Sequence, residues 1–185
     1  MQDSDAAIAG ILDFWFSAVT AKKWFSGDAA FDDEVRDRLG QWFERAAKGE
    51  VWDWRDSPAG CVALCVLLDQ VPRNLCRGQA RAFATDAAAR SVACYAIEHE
   101  FDHALPQARR LFLYLPFEHS ETLADQDTSV RLFGALDEDP GWLDYAVRHR
   151  DVIVRFGRFP HRNTALGRVN TDEETAFLAT PGSAF

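Results

Sequence analysis

Residues 155–168, RFGRFPHRNTALGR, set Arg155, Arg158, Arg162 and Arg168 with His161 and Asn163 around a single proline. Each guanidinium is a planar fork of donors suited to a carboxylate or phosphate. An imidazole beside such charges is held neutral and can carry a proton near pH 7. Arg158 and Arg162 therefore predict a depressed pKa for His161. A second stretch, DQVPRNLCRG (69–78), repeats the order hydrophobe–Pro–Arg–Asn with a further arginine close behind, offering Arg73, Asn74 and Arg77. Proline holds its predecessor extended and Asn favours turns, so both stretches read as loops that aim side chains from a stiff base.

A third stretch, LPFEHSETLADQ (115–126), supplies His119, Glu121 and Gln126. Adjacent His119, Ser120 and Glu121 diverge at a helix start and form no triad; Ser120 reads as the N-cap. His119 and Gln126, seven apart, can share an inward face, and Glu121 can orient a histidine or pair with the arginines. His149 falls on the apolar stripe of its own helix.

Residues 99–103, HEFDH, match the H-E-x-x-H pattern of zinc proteases. That chemistry needs both histidines on one helical face with a third ligand. Asp102 stands where an apolar residue is usual, and Pro106 interrupts the helix within a turn of His103. The expectation is no metal and no cofactor; no phosphate-binding loop or dinucleotide glycine pattern occurs, and no cysteine is placed as a covalent nucleophile.

The elements carrying these residues are helical throughout, with no alternating strand pattern. In 28–48 the stripe Phe31, Val35, Leu39, Trp42, Phe43, Ala46 marks a helix. Ser57-Pro58 caps and starts another, whose body CVALCVLL is apolar all round and so buried. Asp86 is placed to cap a helix to about 99, Pro106 opens the next and Pro116 is expected to stop it. Ser120 is expected to cap a helix to about 136, and DEDPG (137–141) reads as a turn. The stripe from Trp142 to Phe156 marks a helix that Gly157 can end, and Thr171 with Glu174 forms a capping box.

The chain has 185 residues, 48% of them hydrophobic, and a formal charge of −9. One domain, 1–185, of about eight helices packed as antiparallel pairs is expected. Net acidity argues against a nucleic-acid partner, whose phosphates need a basic surface. Seventeen arginines stand against three lysines. Four cysteines without a CxxC pair suggest a reduced, cytoplasmic chain, and neither a signal peptide nor a membrane span is expected.

Taken together, ILDFWF (11–16), LLDQVPRNLCRG (67–78), AFATD (82–86), YLPFEHSE (114–121), RFGRFPHRNTALGR (155–168) and TDEETAFL (171–178) resemble a mainly bacterial family catalogued only as a domain of unknown function. The resemblance covers nearly the whole chain and implies a tetratricopeptide-like all-helical fold. Its polar signature falls on Asp69, Gln70, Arg73, Asn74, Arg77 and Asp86. It continues through His119, Ser120, Glu121, Gln126 and His149, and closes on Arg158, His161, Arg162, Asn163 and Arg168.

The leading expectation is a site for a small anionic molecule, a carboxylate or phosphate. His161 or His119 would carry the proton, Glu121 would orient it, and Arg158 and Arg162 would clamp the charge, with Arg73, Asn74, Arg77, Asn163, Arg168, Gln126 and His149 lining the site. The alternative is a tetratricopeptide-like module that grips a peptide carboxylate without catalysis. A third reading has the arginines pairing only with Asp69, Glu121 and helix ends.

Overall fold

The computed structural model describes residues 2–136 and 139–183. The helices are α1 (Gln2–Trp15), α2 (Ala29–Ala47), α3 (Pro58–Cys65), α4 (Val71–Leu75), α5 (Asp86–Glu98), α6 (Gln107–Glu118), α7 (Leu123–Phe133), α8 (Pro140–Phe156) and α9 (Asp172–Leu178). Short 3-10 turns join several of them, and no strand occurs among the described residues.

α3 is the axis of the fold. Ser57 accepts a hydrogen bond from Gly60 N, and Pro58 starts the helix at no cost in donors. Cys61 through Leu68 are each fully buried, as an all-round apolar helix requires. α1, α5 and α6 pack around α3, and one continuous cluster of buried side chains runs from Ile8 to Ala146. In α2 the expected stripe is buried or packed on the core, joined by a charged residue, Asp32. A smaller cluster of Val152, Ile153, Phe156, Phe159 and Phe177 fastens the chain after α8.

Several local expectations are corrected. Residues 69–78 are not an open loop: α3 passes through a π-helical turn, Val66–Gln70, directly into α4. Pro72 has no N–H to give the Leu68 carbonyl. Val71 N reaches back to Val66 O instead, and the freed Leu68 carbonyl accepts the Thr85 hydroxyl at 2.5 Å. Pro116 does not stop α6, which continues to Glu118 because residues 111–118 are all buried on the core; packing outweighs the one lost helical bond. The N-cap of α7 is Thr122 rather than Ser120. Ser120 Oγ instead accepts from Thr122 N at 3.2 Å and donates to Asp125 at 2.6 Å.

Asp86 is the first residue of α5, after its cap Thr85, and its carboxylate serves elsewhere. Of the turn expected at 137–141, residues 137 and 138 lie outside those described, and Asp139 caps α8 through Gly141 N. Gly157 ends α8 in the left-handed region at φ 69°, and the Thr171–Glu174 capping box is formed.

HEFDH does not lie on one helix. α5 ends at Glu98, Glu100 turns left-handed at φ 58°, and a 3-10 turn follows. His99 stacks on Tyr95 with ring centroids 3.9 Å apart, and His103 is exposed. No described helix is long and apolar enough to cross a membrane.

Candidate functional site

The π turn buries Asp69 completely beneath the end of α6. There His119, the residue after α6, places Nδ1 at 2.8 and 2.9 Å from the two Asp69 oxygens. Gln70 Nε2 donates to the same carboxylate at 2.5 Å, and Arg73 Nη1 lies 3.2 Å from it. Burial alone would raise the Asp69 carboxyl; Arg73 and His119 overcome that and hold it well below the usual carboxylate range. Because an ionised carboxylate only accepts, His119 is the Nδ1–H tautomer and Nε2 keeps its lone pair. Burial and Arg73 lower the His119 pKa against the opposing pull of Asp69.

Two guanidiniums share Asp86. Arg73 takes both its oxygens at 2.9 and 3.1 Å, and Arg162 takes one at 3.1 Å. Arg162 lies between Phe83 and Phe159, 4.7 and 4.6 Å from their ring centres. Its side chain is 7% exposed, and its Nε is buried without a hydrogen-bond partner among the described residues. Burial and the neighbouring Arg73 pull its pKa down to about 10.

α8 brings His149 to the same centre, its ring 6.1 Å from that of His119. His149 Nδ1 donates to Tyr145 O at 2.8 Å and lies 3.4 Å from Glu118 Oε1. Burial, then His119, push the His149 pKa well below its ordinary value. Burial and the Asp69 charge raise Glu118 to about 8, so the acid is protonated at neutral pH. His161 is brought down to about 3 by burial first and by Arg162 second. The expected direction is present, with Arg162 rather than Arg158 as the charged cause.

Apart from Gln126, the residues read from the sequence divide into three groups. Arg73, Arg162, His119, His149 and His161 share this centre. Asn74 and Arg77 face the other way, onto Asp32 of α2: Asn74 donates at 2.7 Å and Arg77 forms a two-pronged pair at 2.6 and 2.8 Å. The third group fastens the chain after α8. Arg158 grips Glu174 at 2.6 and 2.8 Å, and Arg168 grips Glu121 at 2.8 Å through both nitrogens. Asn163 donates to Asn170 at 2.8 Å.

Glu121 also accepts Phe159 N at 2.9 Å, so the carboxylate orienting a histidine is Asp69, not Glu121. Gln126 closes the α6–α7 corner by donating to the Glu118 and Ser120 carbonyls at 2.7 and 2.6 Å. Sequence reasoning gave no catalytic role to Asp69, Asp86 or Glu118. The available signal for Asp69 was a charged residue inside an otherwise apolar helix.

Two surface recesses lie away from this centre. One is bordered by Asp13, Ser57 and Arg109, the other by Arg36, Glu44 and Arg81.

An all-helical chain with buried and half-buried histidines, acids and arginines at the junction of α4, α6 and α8 is the class that fold and site define. The chain belongs to the family described as bacterial protein of unknown function (DUF924), whose model matches residues 11–182. It is similar to a solved structure of a protein of unknown function, ATU0120 from Agrobacterium tumefaciens. The two are 42% identical with a TM-score of 0.90, over 95% of this chain and 98% of that one. No curated protein matches the chain.

Proposed function

We propose that the protein binds a small molecule carrying a carboxylate or phosphate at the Asp69–His119–Arg162 centre and acts on it by acid–base chemistry. The observation that carries this reading is the sharing of Asp86 by the half-buried Arg73 and the buried Arg162, with Arg162 Nε left without an acceptor among the described residues. An incoming anion supplies that acceptor and offsets the repulsion between Arg73 and Arg162; charge-assisted bonds of this kind are among the stronger hydrogen bonds.

Beside the anion site, His119 Nε2 can take a proton while the Asp69 carboxylate stabilises the resulting imidazolium. His161, neutral near pH 7, can hydrogen-bond the anion or its leaving group rather than hold a proton. Glu118, protonated at pH 7, is the acid available to donate. Arg73 replaces Arg158 as the partner of Arg162, since Arg158 is engaged with Glu174.

The test is a thermal-shift screen of wild type and Arg162→Gln against phosphorylated and carboxylated metabolites and short peptides. A ligand at ~100 times its dissociation constant stabilises the fold by roughly 2.7 kcal/mol. At about 2–4 °C per kcal/mol for a chain of this size, the shift is roughly 5–11 °C. A wild-type shift that disappears in folded Arg162→Gln supports an anion site. No shift from any anion, with the variant melting far lower, makes Arg162 structural and ends the reading. A response confined to peptides marks a tetratricopeptide-like binding module instead.

A further inference from the structure

We infer that Glu118, His119 and His149 form a binding site for one divalent transition-metal ion of the zinc type. One ligand atom from each lies within 4.8 Å of the others, and the Glu118 and His149 side chains are 5% and 4% exposed. Both imidazoles are already held as metal-binding histidines are. His119 Nδ1 is turned to the Asp69 carboxylate and His149 Nδ1 to the Tyr145 carbonyl. Each acceptor fixes the Nδ1–H tautomer, the outer-shell arrangement that orients histidine ligands.

Two imidazoles and a carboxylate suit zinc, iron(II), cobalt(II) or nickel(II) better than calcium or magnesium, which prefer oxygen ligands throughout. Bonds of ~2.0–2.1 Å put tetrahedral ligand atoms roughly 3.3 Å apart. The present spacing must therefore close by at most about 1.5 Å, by small adjustments of both imidazole rings as well as of the Glu118 carboxylate.

The surrounding charges permit a dication. Asp69, Asp86, Glu121 and an ionised Glu118 oppose Arg73, Arg162 and Arg168, leaving one surplus negative charge before the metal enters. Three protein ligands leave a coordination position open. The anion proposed above would occupy it. That last step rests on the anion-binding reading; metal binding itself does not.

The experiment is a cobalt(II) titration of chelator-treated protein followed by visible ligand-field absorption. The expected result is one Co2+ per chain, displaced by Zn2+. Glu118→Gln and His149→Gln should each abolish the absorption, with circular dichroism verifying that they fold. If His149→Gln does not fold, Glu118→Gln decides, because it preserves shape. His99→Ala with His103→Ala should bind cobalt as wild type does.

Folded wild type that gives no stoichiometric absorption overturns the site. So does equal binding by Glu118→Gln, or loss on removing His99 and His103. An anion-induced thermal shift without cobalt uptake leaves the earlier reading standing and ends this one; cobalt uptake without any anion response does the reverse.

Discussion

His119 Nδ1 and the Asp69 carboxylate meet at 2.8 Å across fifty residues of chain, tying the end of α6 to the π turn between α3 and α4. Asp69 is also the charge that Arg73 faces from one helical turn away. Asp69→Asn should destabilise the protein by about 3–5 kcal/mol, the usual cost of breaking a buried charged pair. Urea denaturation measures it. A loss below about 1 kcal/mol would mean that the carboxylate does not organise this centre.

The pH dependence has two limbs of opposite sign in metal-free protein. The His161 pKa falls from 6.5 to about 3 on folding, so below pH 6.5 the unfolded chain takes up a proton that the folded chain refuses. Stability then falls as pH drops toward 3, by up to about 1.4 kcal/mol per pH unit. His119 and His149 shift in the same direction and steepen this limb.

Glu118 rises from 4.5 to about 8: here the folded chain keeps the proton, and stability falls as pH rises through that window. The melting temperature should therefore peak near pH 6.5. Glu118→Gln should remove the decline from 6.5 to 8, and His161→Gln should flatten the acid limb. A wild-type profile that is flat from pH 5 to 8 would contradict both assignments.

Gly60, in the first turn of α3, has no room for a side chain. A Cβ there would stand 1.9 Å from Trp54 O, a backbone atom that cannot swing away. Gly60→Ala should cost about 3 kcal/mol, the upper end of overpacking. A Cβ at Gly10 in α1 would meet nothing within 4 Å among the described residues, and Gly10→Ala should stabilise by roughly 0.5–1 kcal/mol through helix propensity. Thermal melts of the two variants should move in opposite directions.

Arg168 and Glu121 form a two-pronged pair with about a quarter of each side chain exposed. A double-mutant cycle with Arg168→Gln and Glu121→Gln should give a coupling of about 1 kcal/mol, since solvent screens part of the attraction. Neither substitution should abolish cobalt uptake. Loss of uptake in both variants would place this pair in the centre rather than beside it.

Much of the fold was legible in order. The stripe of α2, the all-apolar α3 with its Ser57-Pro58 start, the stripe and Gly157 stop of α8 and the Thr171–Glu174 box depend on residues within about four positions of one another. A sequence displays such spacings directly. Pro116 misled because helix breaking is also a local rule, and only the burial of 111–118 shows that packing overrides it.

The site was legible as a set of residue types and not as a set of partners. Arg73, Arg162, His119, His149 and His161 were all singled out, yet the sequence could not say that Arg73 and Asn74, adjacent in the chain, would face opposite sides. It could not say that Asp86, expected as a cap, would join Arg73 to an arginine 76 residues away, or that Asp69 would take the place foreseen for Glu121. Helical periodicity is set by the chain's own geometry, so the sequence determined the helices. The choice of which acid meets which base depends on how those helices pack and what water they exclude, and only the tertiary structure decided it.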